Sequence, residues 1–251
     1  MSGHSKWATI KRKKGANDAA RGKVFTKLIK EITTAARMGG GDPDANARLR
    51  KAIADGKAQQ MPGENIKRAV QRGTGEIEGV NYEEVLYEGT GPGGTLFMIE
   101  GMTDNRNRTA PELRRVFEKN GGAMGATGTG GWAFERLGTI VLDKSIVDEE
   151  RLMDLAVEAG AEDYRDEGET WLVCMPVAEL FKVLAIFEKL EVPIVESGLS
   201  YVPNNKKLLT GRDAERCISL SEALDEHDDV QGVFGDFDVS EDELERIANL
   251  T

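Results

Sequence analysis

The chain is poor in the residues that build metal and catalytic centres. Its 251 residues include two cysteines, Cys174 and Cys217, and two histidines, His4 and His227, which lie far apart in unlike surroundings. No His, Cys and carboxylate cluster has the spacing of metal ligands, and no Cys-His or Ser-His-Asp grouping can be recognised. We therefore expect no metal, no cofactor and no catalytic residue, and we predict that the protein is not an enzyme.

Long apolar runs are missing as well. No stretch approaches the roughly 18 apolar residues that cross a bilayer, and the first residues lack the apolar segment of a secretory signal. We expect no membrane contact and no transit peptide ahead of the first motif. Two isolated cysteines fit a reducing compartment in which both thiols act as small buried apolar groups. The predicted location is the cytoplasm.

Charge, by contrast, is abundant and unevenly distributed. The net charge is −11 at pH 7. Residues 1–76 nevertheless hold 17 Lys and Arg against 7 Asp and Glu, whereas residues 77–251 hold 16 against 37. Because an acidic body repels phosphate, we expect nucleic-acid contact mainly on the N-terminal third. A short basic run is equally typical of a solvated surface, and this alternative stays open.

The first thirty residues concentrate the basic charge around one aromatic side chain, Trp7. An aromatic residue among cations can stack on a base or anchor to a core. A helix is predicted over 18–38, with Asn17 or Asp18 as its cap. Its polar face holds Lys23, Lys27, Lys30 and Arg37, so we expect a basic ridge that points away from the core. Many surface helices share this pattern without binding anything.

Two further helices are predicted before residue 76. Asp42 and Pro43 have the residue types of a cap and a first turn, which indicates a second helix that ends near Gln60. The segment GENIKRAVQR indicates a third helix, ended by Gly73. Its outer face carries basic residues that extend the basic surface. The predicted nucleic-acid-binding residues are Lys6, Trp7, Lys11, Arg12, Lys13, Lys14, Arg21, Lys23, Lys27, Lys30, Lys67 and Arg68, with Arg72 beside them.

From residue 80 the pattern becomes strand-like. Residues 84–89 and 95–101 flank a glycine-proline turn and predict a hairpin, and a helix is expected from Ala110-Pro111 to Asn120. Strands are expected at 132–135 and 138–143. Residues 138–205 then read as strand, helix, strand, strand, helix, strand, the order of a ferredoxin-like unit. A helix over 213–226 and a strand over 229–238 lack partners unless they return to the earlier sheet.

These patterns predict an α+β protein with three parts. A three-helix domain (1–78) precedes two α/β domains, and the third domain is inserted into the second. The second domain comprises 79–136 and 206–240, the inserted βαββαβ domain comprises 137–205, and 241–251 is a C-terminal helix whose acidic first turn suits the helix dipole.

Two loops invite a functional interpretation. Residues 121–131 contain six glycines but lack the GxxxxGK[ST] pattern and follow a helix, which argues against a nucleotide-binding loop. A flexible connector and a functional loop that lets backbone approach a partner are equally consistent with this composition. In TDNRNRT (103–109), Asp104 or Asn105 suits a helix cap, an interpretation that we favour over phosphate binding by Arg106 and Arg108.

Several motifs together resemble one family. They are GHSKWATIKRKK (3–14), RGKVFTKLIKEI (21–32), MPGENIKRAV (61–70), VLYEGTGPGG (85–94), TDNRNRT (103–109), KNGG (119–122) and VFGDFD (233–238). This set is similar to the YebC family, whose mitochondrial relatives are called translational activators of cytochrome oxidase. The resemblance implies three domains and an exposed loop that reaches into a partner, here Lys119, Asn120, Gly121, Gly122 and Met124.

The resemblance also implies one of two functions. Family members are described as DNA-binding transcriptional regulators, or as ribosome-associated factors that help translation through proline-rich stretches. Sequence readout of DNA usually needs Arg, Asn or Gln presented to base edges. A basic leader with one aromatic suits the irregular surfaces of structured RNA better. We therefore predict a monomer that binds ribosomal RNA, with DNA binding as the alternative; an enzyme with an unrecognised site is the least favoured.

Overall fold

The computed structural model describes residues 18–161 and 163–249, with side chains from Gly22 onward except for 157–159. The described residues form an α+β fold in which three helices precede mixed sheets and helices. In chain order the elements are α1 (Asp18–Gly39), α2 (Ala47–Ala58), α3 (Gly63–Thr74), β1 (Glu83–Thr90), β2 (Leu96–Thr103), α4 (Arg106–Lys119), β3 (Ala123–Met124), β4 (Phe134–Asp143), α5 (Glu149–Ala159), β5 (Asp163–Asp166), β6 (Thr170–Met175), α6 (Leu180–Lys189), β7 (Ile194–Pro203), β8 (Lys207–Leu209), α7 (Gly211–Asp225), β9 (Val230–Gly235), β10 (Phe237–Val239) and α8 (Glu241–Ala248).

Helices α1 to α3 form the N-terminal module. The apolar stripe predicted for α1 faces inward, since Ile32 and Ala36 are buried and Phe25 packs against the same cluster. Leu49 of α2 and Ile66 of α3 complete this core. The spacing of apolar residues every three or four positions therefore indicated the buried face of each helix correctly.

The predicted start of α2 is wrong. The helix begins at Ala47, and Asn46 is its cap rather than Asp42. The Asn46 Oδ1 accepts a hydrogen bond from the Leu49 amide at 3.1 Å, while its Nδ2 donates to the carbonyls of Ala35 and Gly40. One buried amide thus caps α2 and ties it to the end of α1, which a local capping pattern does not reveal.

Gly73 does not end α3. The helix continues to Thr74, and Gly75 terminates it in the left-handed region at φ 81°. Gly73 instead lets α3 approach α1 closely, because a Cβ at this position would stand 2.4 Å from the Thr33 carbonyl oxygen. The glycine is thus required for helix packing.

The central module is a four-stranded sheet of order β3-β1-β2-β9 with α4 and α7 packed against it. The predicted hairpin is confirmed, since β1 and β2 pair antiparallel from Glu83 opposite Thr103 to Thr90 opposite Leu96. Strand β9 pairs antiparallel with β2. Phe97 and Phe117 meet edge to face with ring centroids 6.1 Å apart in the core beneath the helices.

The distal module is a second four-stranded sheet, of order β5-β6-β4-β7, in which all neighbours are antiparallel. Helices α5 and α6 cover one face, where Phe187 and Leu152 are fully buried. The predicted succession of strands and helices is confirmed. The separate strands expected at 132–135 and 138–143 are one strand, because β4 pairs with β7 without interruption from Phe134 to Val141.

This topology supports the domain organisation expected from the sequence. The chain leaves the central sheet after β3, builds the distal sheet, and returns to place β9 beside β2. We propose on this basis that 137–205 is a domain inserted between 79–136 and 206–240, with 1–78 and 241–251 at the two ends. Helix α8 carries three acidic residues in its first turn, as predicted. Among the described helices, none has the length and apolar character to cross a membrane.

Candidate nucleic-acid interface

The outer face of α3 presents basic side chains beside a buried inner face. Ile66 and Ala69 pack inward, whereas Lys67, Arg68 and Arg72 are exposed, as the sequence predicted. Arg68 forms an exposed pair with Glu64, with 3.1 Å between Nε and Oε1. Such an exposed pair contributes little stability and is easily exchanged for another anion. The α3 face is therefore available to phosphate.

The basic leader that precedes α1 lies outside the described residues. This group includes Lys6, Trp7, Lys11, Arg12, Lys13 and Lys14, and the Arg21 side chain is likewise not described. Their predicted role stays a prediction. The described residues begin at Asp18, the first residue of α1.

The lysines of α1 do not form a free basic ridge. They face a turn of the central module that is rich in acidic residues, and each comes close to a carboxylate there. The pairs, with their N–O distances, are Lys23–Glu226 at 3.9 Å, Lys27–Asp225 at 2.8 Å and Lys30–Asp229 at 2.5 Å. The polar face of α1 does point away from the core of its own module, but it points into another module. Lys27 and Lys30 are therefore engaged within the protein.

For Lys30 the predicted exposure is wrong. Its side chain is only 7% exposed, and its ammonium also donates to the carbonyl oxygens of Met102 and Asp228. A long cationic side chain is buried in this way only when every donor finds an acceptor. Lys30 thus fixes the N-terminal module on the central module and is not available to a phosphate.

Asp229 is the acceptor at the centre of this junction. Its side chain is 4% exposed and accepts hydrogen bonds from Lys30 Nζ, from Thr109 Oγ1 at 2.6 Å and from Arg108 Nη2 at 2.7 Å. Burial raises the pKa of Asp229, but the three donors outweigh burial and leave its pKa well below the usual value. The same contact raises the pKa of the Arg108 guanidinium. The carboxylate is therefore held ionised inside the protein.

The TDNRNRT segment is structural, as favoured from the sequence. Asn105 caps α4 by accepting a hydrogen bond from the Arg108 amide at 3.2 Å. Because this cap precedes Arg106, the helix begins there and not at Ala110, and Pro111 lies inside it. Arg106 pairs with Glu83 on the neighbouring strand at 2.7 Å. Both arginines are thus used within the module.

His227 occupies a partly buried position among acidic neighbours. Its Nε2 lies 3.0 Å from Glu112 Oε2, and its Nδ1 accepts a hydrogen bond from the Asp229 amide at 3.1 Å. The ring therefore connects the acidic turn to α4, beside the Lys30–Asp229 junction.

The KNGG segment ends α4 with a defined cap. Gly121 adopts φ 79°, and the amides of Gly121 and Gly122 donate to the carbonyls of Glu118 and Phe117. This is the Schellman arrangement, which needs a residue in the left-handed region. The Asn120 side chain donates to the Val116 carbonyl at 2.8 Å. Lys119 is exposed at this helix end.

Met124 sits in the short strand β3, and its side chain is half-buried against the core of the central module. The family resemblance placed this methionine in a loop that reaches into a partner. In the structure it pairs opposite Gly89 on β1, so its backbone is held by the sheet. The residues that follow it, 125–128, are exposed.

The glycine-rich loop is organised around a carboxylate that sequence reasoning missed. Glu88 is buried on β1 and accepts hydrogen bonds from the amides of Gly128, Gly130 and Gly131 at 2.7–2.9 Å. Burial raises the pKa of Glu88, but these amide donors outweigh it and leave its pKa below the usual value. Convergent amides of this kind often hold a phosphate; here the protein supplies the anion. The only local signal was an acidic residue directly after the run Val85-Leu86-Tyr87 in β1.

Both cysteines are free and buried, as expected. Burial raises the pKa of each thiol to about 11. Among the described residues, no group of three or more His, Cys, Asp and Glu side chains could hold a metal ion.

Comparisons with known proteins match the whole described fold. The profile of the "TACO1/YebC protein N-terminal domain" matches residues 5–76, and that of the "TACO1/YebC second and third domain" matches residues 82–237. A protein of Chloroherpeton thalassium named "Probable transcriptional regulatory protein" is 51% identical over 248 residues, covering 98% of this chain and 99% of the relative. A Geobacter sulfurreducens protein with the same description is 50% identical over 247 residues, covering 98% and 100%.

A solved structure agrees with these sequence matches. The crystal structure of a conserved hypothetical protein from Aquifex aeolicus superposes with a TM-score of 0.82 at 45% identity, covering 89% of this chain and 93% of that one. Both profiles, the relatives at about half identity and this structure agree along nearly the full length. The chain therefore belongs to the TACO1/YebC family.

Proposed function

We propose that the protein is a non-enzymatic gene-expression factor that binds nucleic acid through its N-terminal module. The observation that carries the proposal is the separation of charge, with ten surplus cations in residues 1–76 and 21 surplus anions in residues 77–251. A polyanion is attracted to the first region and repelled by the second. The names of the relatives, probable transcriptional regulatory proteins, support a role in gene expression.

The contact surface is narrower than the sequence suggested. Because Lys27 and Lys30 are engaged with the central module, the proposed surface consists of the leader and the exposed face of α3 with Lys67 and Arg68. The acidic turn that holds α1 is itself unsuited to phosphate, because its carboxylates carry the same sign of charge. In this proposal the N-terminal module provides the affinity, and its docking determines where the other two modules are held.

Ribosomal RNA is the preferred target, in the cytoplasm, with the protein aiding elongation through difficult, proline-rich stretches. Lys67 and Arg68 are flexible cations suited to phosphates, whereas sequence readout of DNA relies on bidentate contacts with base edges. A leader with one aromatic suits irregular RNA. DNA binding by a transcriptional regulator is the second candidate, and the names of the bacterial relatives favour it.

The first experiment tests whether the proposed surface holds phosphates. One variant replaces Lys11, Arg12, Lys13 and Lys14 with alanine, and a second carries Lys67→Ala and Arg68→Ala. The salt dependence of ribosome binding is measured for each. The slope of log K against log salt should fall by roughly one unit for each lost contact. A matched control, Arg151→Ala with Lys189→Ala on the distal module, should keep the wild-type slope. Unchanged slopes in both test variants would remove the N-terminal module from the interface.

A second experiment separates RNA from DNA. Cell extract is sedimented through sucrose at low salt, untreated, after DNase, and after mild RNase. If the protein still sediments with ribosomes after DNase, and no longer does so when RNase disassembles the ribosomes, the target is ribosomal. Loss after DNase alone supports the regulator instead. Crosslinking followed by sequencing of the bound nucleic acid then identifies the site.

A further inference from the structure

Besides Arg114, the central module carries four exposed cations that form no ion pair with another described residue. Arg115 and Lys119 lie on α4, and Arg212 and Arg216 lie on α7. All four side chains are exposed, and none forms an ion pair with another described residue. We refer to these four residues as the α4–α7 patch.

Contacts at both ends of the two helices bring the four residues together. The helices run antiparallel, because Glu112 near the start of α4 meets His227 just after α7 at 3.0 Å. At the other end, Arg216 Nη1 lies 3.4 Å from the point where a Cβ on Gly121 would stand, just past the end of α4. Each helix contributes two cations four positions apart, which therefore share one flank.

Other basic residues near the patch form ion pairs, whereas the four cations of the patch form none with another described residue. Arg106 pairs with Glu83 at 2.7 Å, Lys206 pairs with Glu167 at 2.6 Å, and Arg246 pairs with Glu215 at 2.7 Å. Residues 77–251 hold 37 acidic side chains, so partners are plentiful. Like charges four positions apart on a helix destabilise it. Four clustered cations without partners in so acidic a body are best explained by an external anion.

The surface beside the patch is shaped for a polymer backbone. Two exposed glycine turns lie beside the patch: a Cβ on Gly121 would stand 3.4 Å from Arg216 Nη1, and the Gly93-Gly94 turn lies beside Asp213 of α7. Without side chains at these positions, a chain can approach the protein backbone closely. Asp213 lies beside Gly93 at the margin and makes no ion pair with any of the four cations. The cations are thus accessible from the side of the glycine turns.

We propose that the α4–α7 patch binds the phosphodiester backbone of the nucleic acid that the N-terminal module holds. This inference rests on the proposed function and extends it to a second point of attachment on the central module. Two separated contacts on one polyanion orient the protein, whereas one contact leaves it free to pivot. The patch then presents the KNGG end of α4 toward the nucleic acid.

The experiment compares two double variants with the same change in charge. The test variant carries Lys119→Gln and Arg216→Gln, and the control carries Arg151→Gln and Lys189→Gln on the distal module, where both side chains are exposed. Thermal unfolding first confirms that the two variants fold alike. Binding to ribosomes and to a DNA duplex is then measured from 50 to 200 mM salt.

We expect the test variant to lower the slope of log K against log salt by about 1.4 on single-stranded RNA regions or about 1.8 on a duplex, corresponding to two lost contacts. The control should match the wild type. If the test variant has the same slope as the control while the leader variant binds weakly, the patch does not bind nucleic acid, and the proposed function is unaffected. If wild-type protein binds neither probe in a salt-dependent manner, both proposals are overturned. If the slope falls with the DNA duplex but not with ribosomes, the patch binds nucleic acid, and its target is DNA.

Discussion

Replacing Asp229 with asparagine tests the junction between the N-terminal and central modules. The substitution keeps the shape of the side chain but removes the charge that Lys30 Nζ approaches at 2.5 Å. Asparagine accepts through one oxygen only, so it cannot satisfy Lys30, Arg108 and Thr109 together. The Lys30 ammonium is left buried without a counter-ion, with the carbonyls of Met102 and Asp228 and at most the asparagine oxygen as its acceptors.

The expected cost follows from burial of the pair. Breaking a buried ion pair by removing one partner costs about 3–5 kcal/mol, because the other charge stays buried without compensation. Two carbonyl acceptors remain for Lys30, so we expect the lower end, about 3 kcal/mol, which is about a hundredfold change in the docking equilibrium of α1. The matched control is Asp225→Asn, which removes the exposed partner of Lys27. Since Asp225 is 52% exposed, this change should cost less than about 1 kcal/mol.

Hydrogen exchange of the α1 amides measures the docking free energy directly, and urea unfolding provides an independent value. We expect faster exchange in Asp229→Asn, confined to α1, and no such change in Asp225→Asn. Equal effects of the two substitutions would refute the argument that the Lys30–Asp229 pair is buried and essential for docking.

The same junction predicts a dependence on pH. The folded pKa of Asp229 lies below its value in the unfolded chain, which is about 4. The ionised carboxylate therefore contributes its full stability above pH 4, and this contribution is lost as the pH falls toward the folded pKa. Wild-type α1 should undock progressively in acid, whereas Asp229→Asn should show no such step. A wild-type profile that is flat in acid would contradict this reasoning.

Two further predictions concern packing and the glycine-rich loop. Gly73→Ala should destabilise the N-terminal module by about 1–3 kcal/mol in urea unfolding, since its Cβ would overlap the Thr33 carbonyl. The control is Gly63→Ala, because nothing lies within 4 Å of a Cβ at that position. Equal effects of the two substitutions would contradict the close approach of α3 to α1. Glu88→Gln should accelerate hydrogen exchange of the backbone amides in 125–131. Glutamine replaces a charged acceptor of three hydrogen bonds with a neutral one, at a cost of about 1–3 kcal/mol. Unchanged exchange would show that the loop does not depend on Glu88.

Local patterns in the sequence identified most of the helices and strands. The apolar spacing of α1 gave its buried face, and the glycine-proline turn between β1 and β2 gave the hairpin, because each depends on residues close together in the chain. The strand and helix order of 138–205 was also readable. Boundaries were less accurate wherever a side chain caps two elements at once, as Asn46 does.

The candidate site was harder to predict, because its partners are distant in sequence. A helical wheel places Lys30 opposite the core of its own module, but it cannot show that Asp229, almost 200 residues away, lies there to receive it. Glu88 and the amide of Gly130 likewise meet only through the fold. Charge counts predicted which region would attract phosphate, and only the structure distinguished the exposed cations of the described residues from those engaged within the protein.

The joint between the central and distal modules is made of the two strands that carry the chain across it. Strands β4 and β7 are hydrogen-bonded to each other from Phe134 opposite Pro203 onward, and Tyr201 packs on Phe234 of β9 with 5.6 Å between ring centroids. Ten residues of β4 span about 33 Å. Such a ribbon resists bending far more than a pair of separate linkers would. Displacing the distal module therefore strains the β4–β7 pairing and the Tyr201–Phe234 contact together.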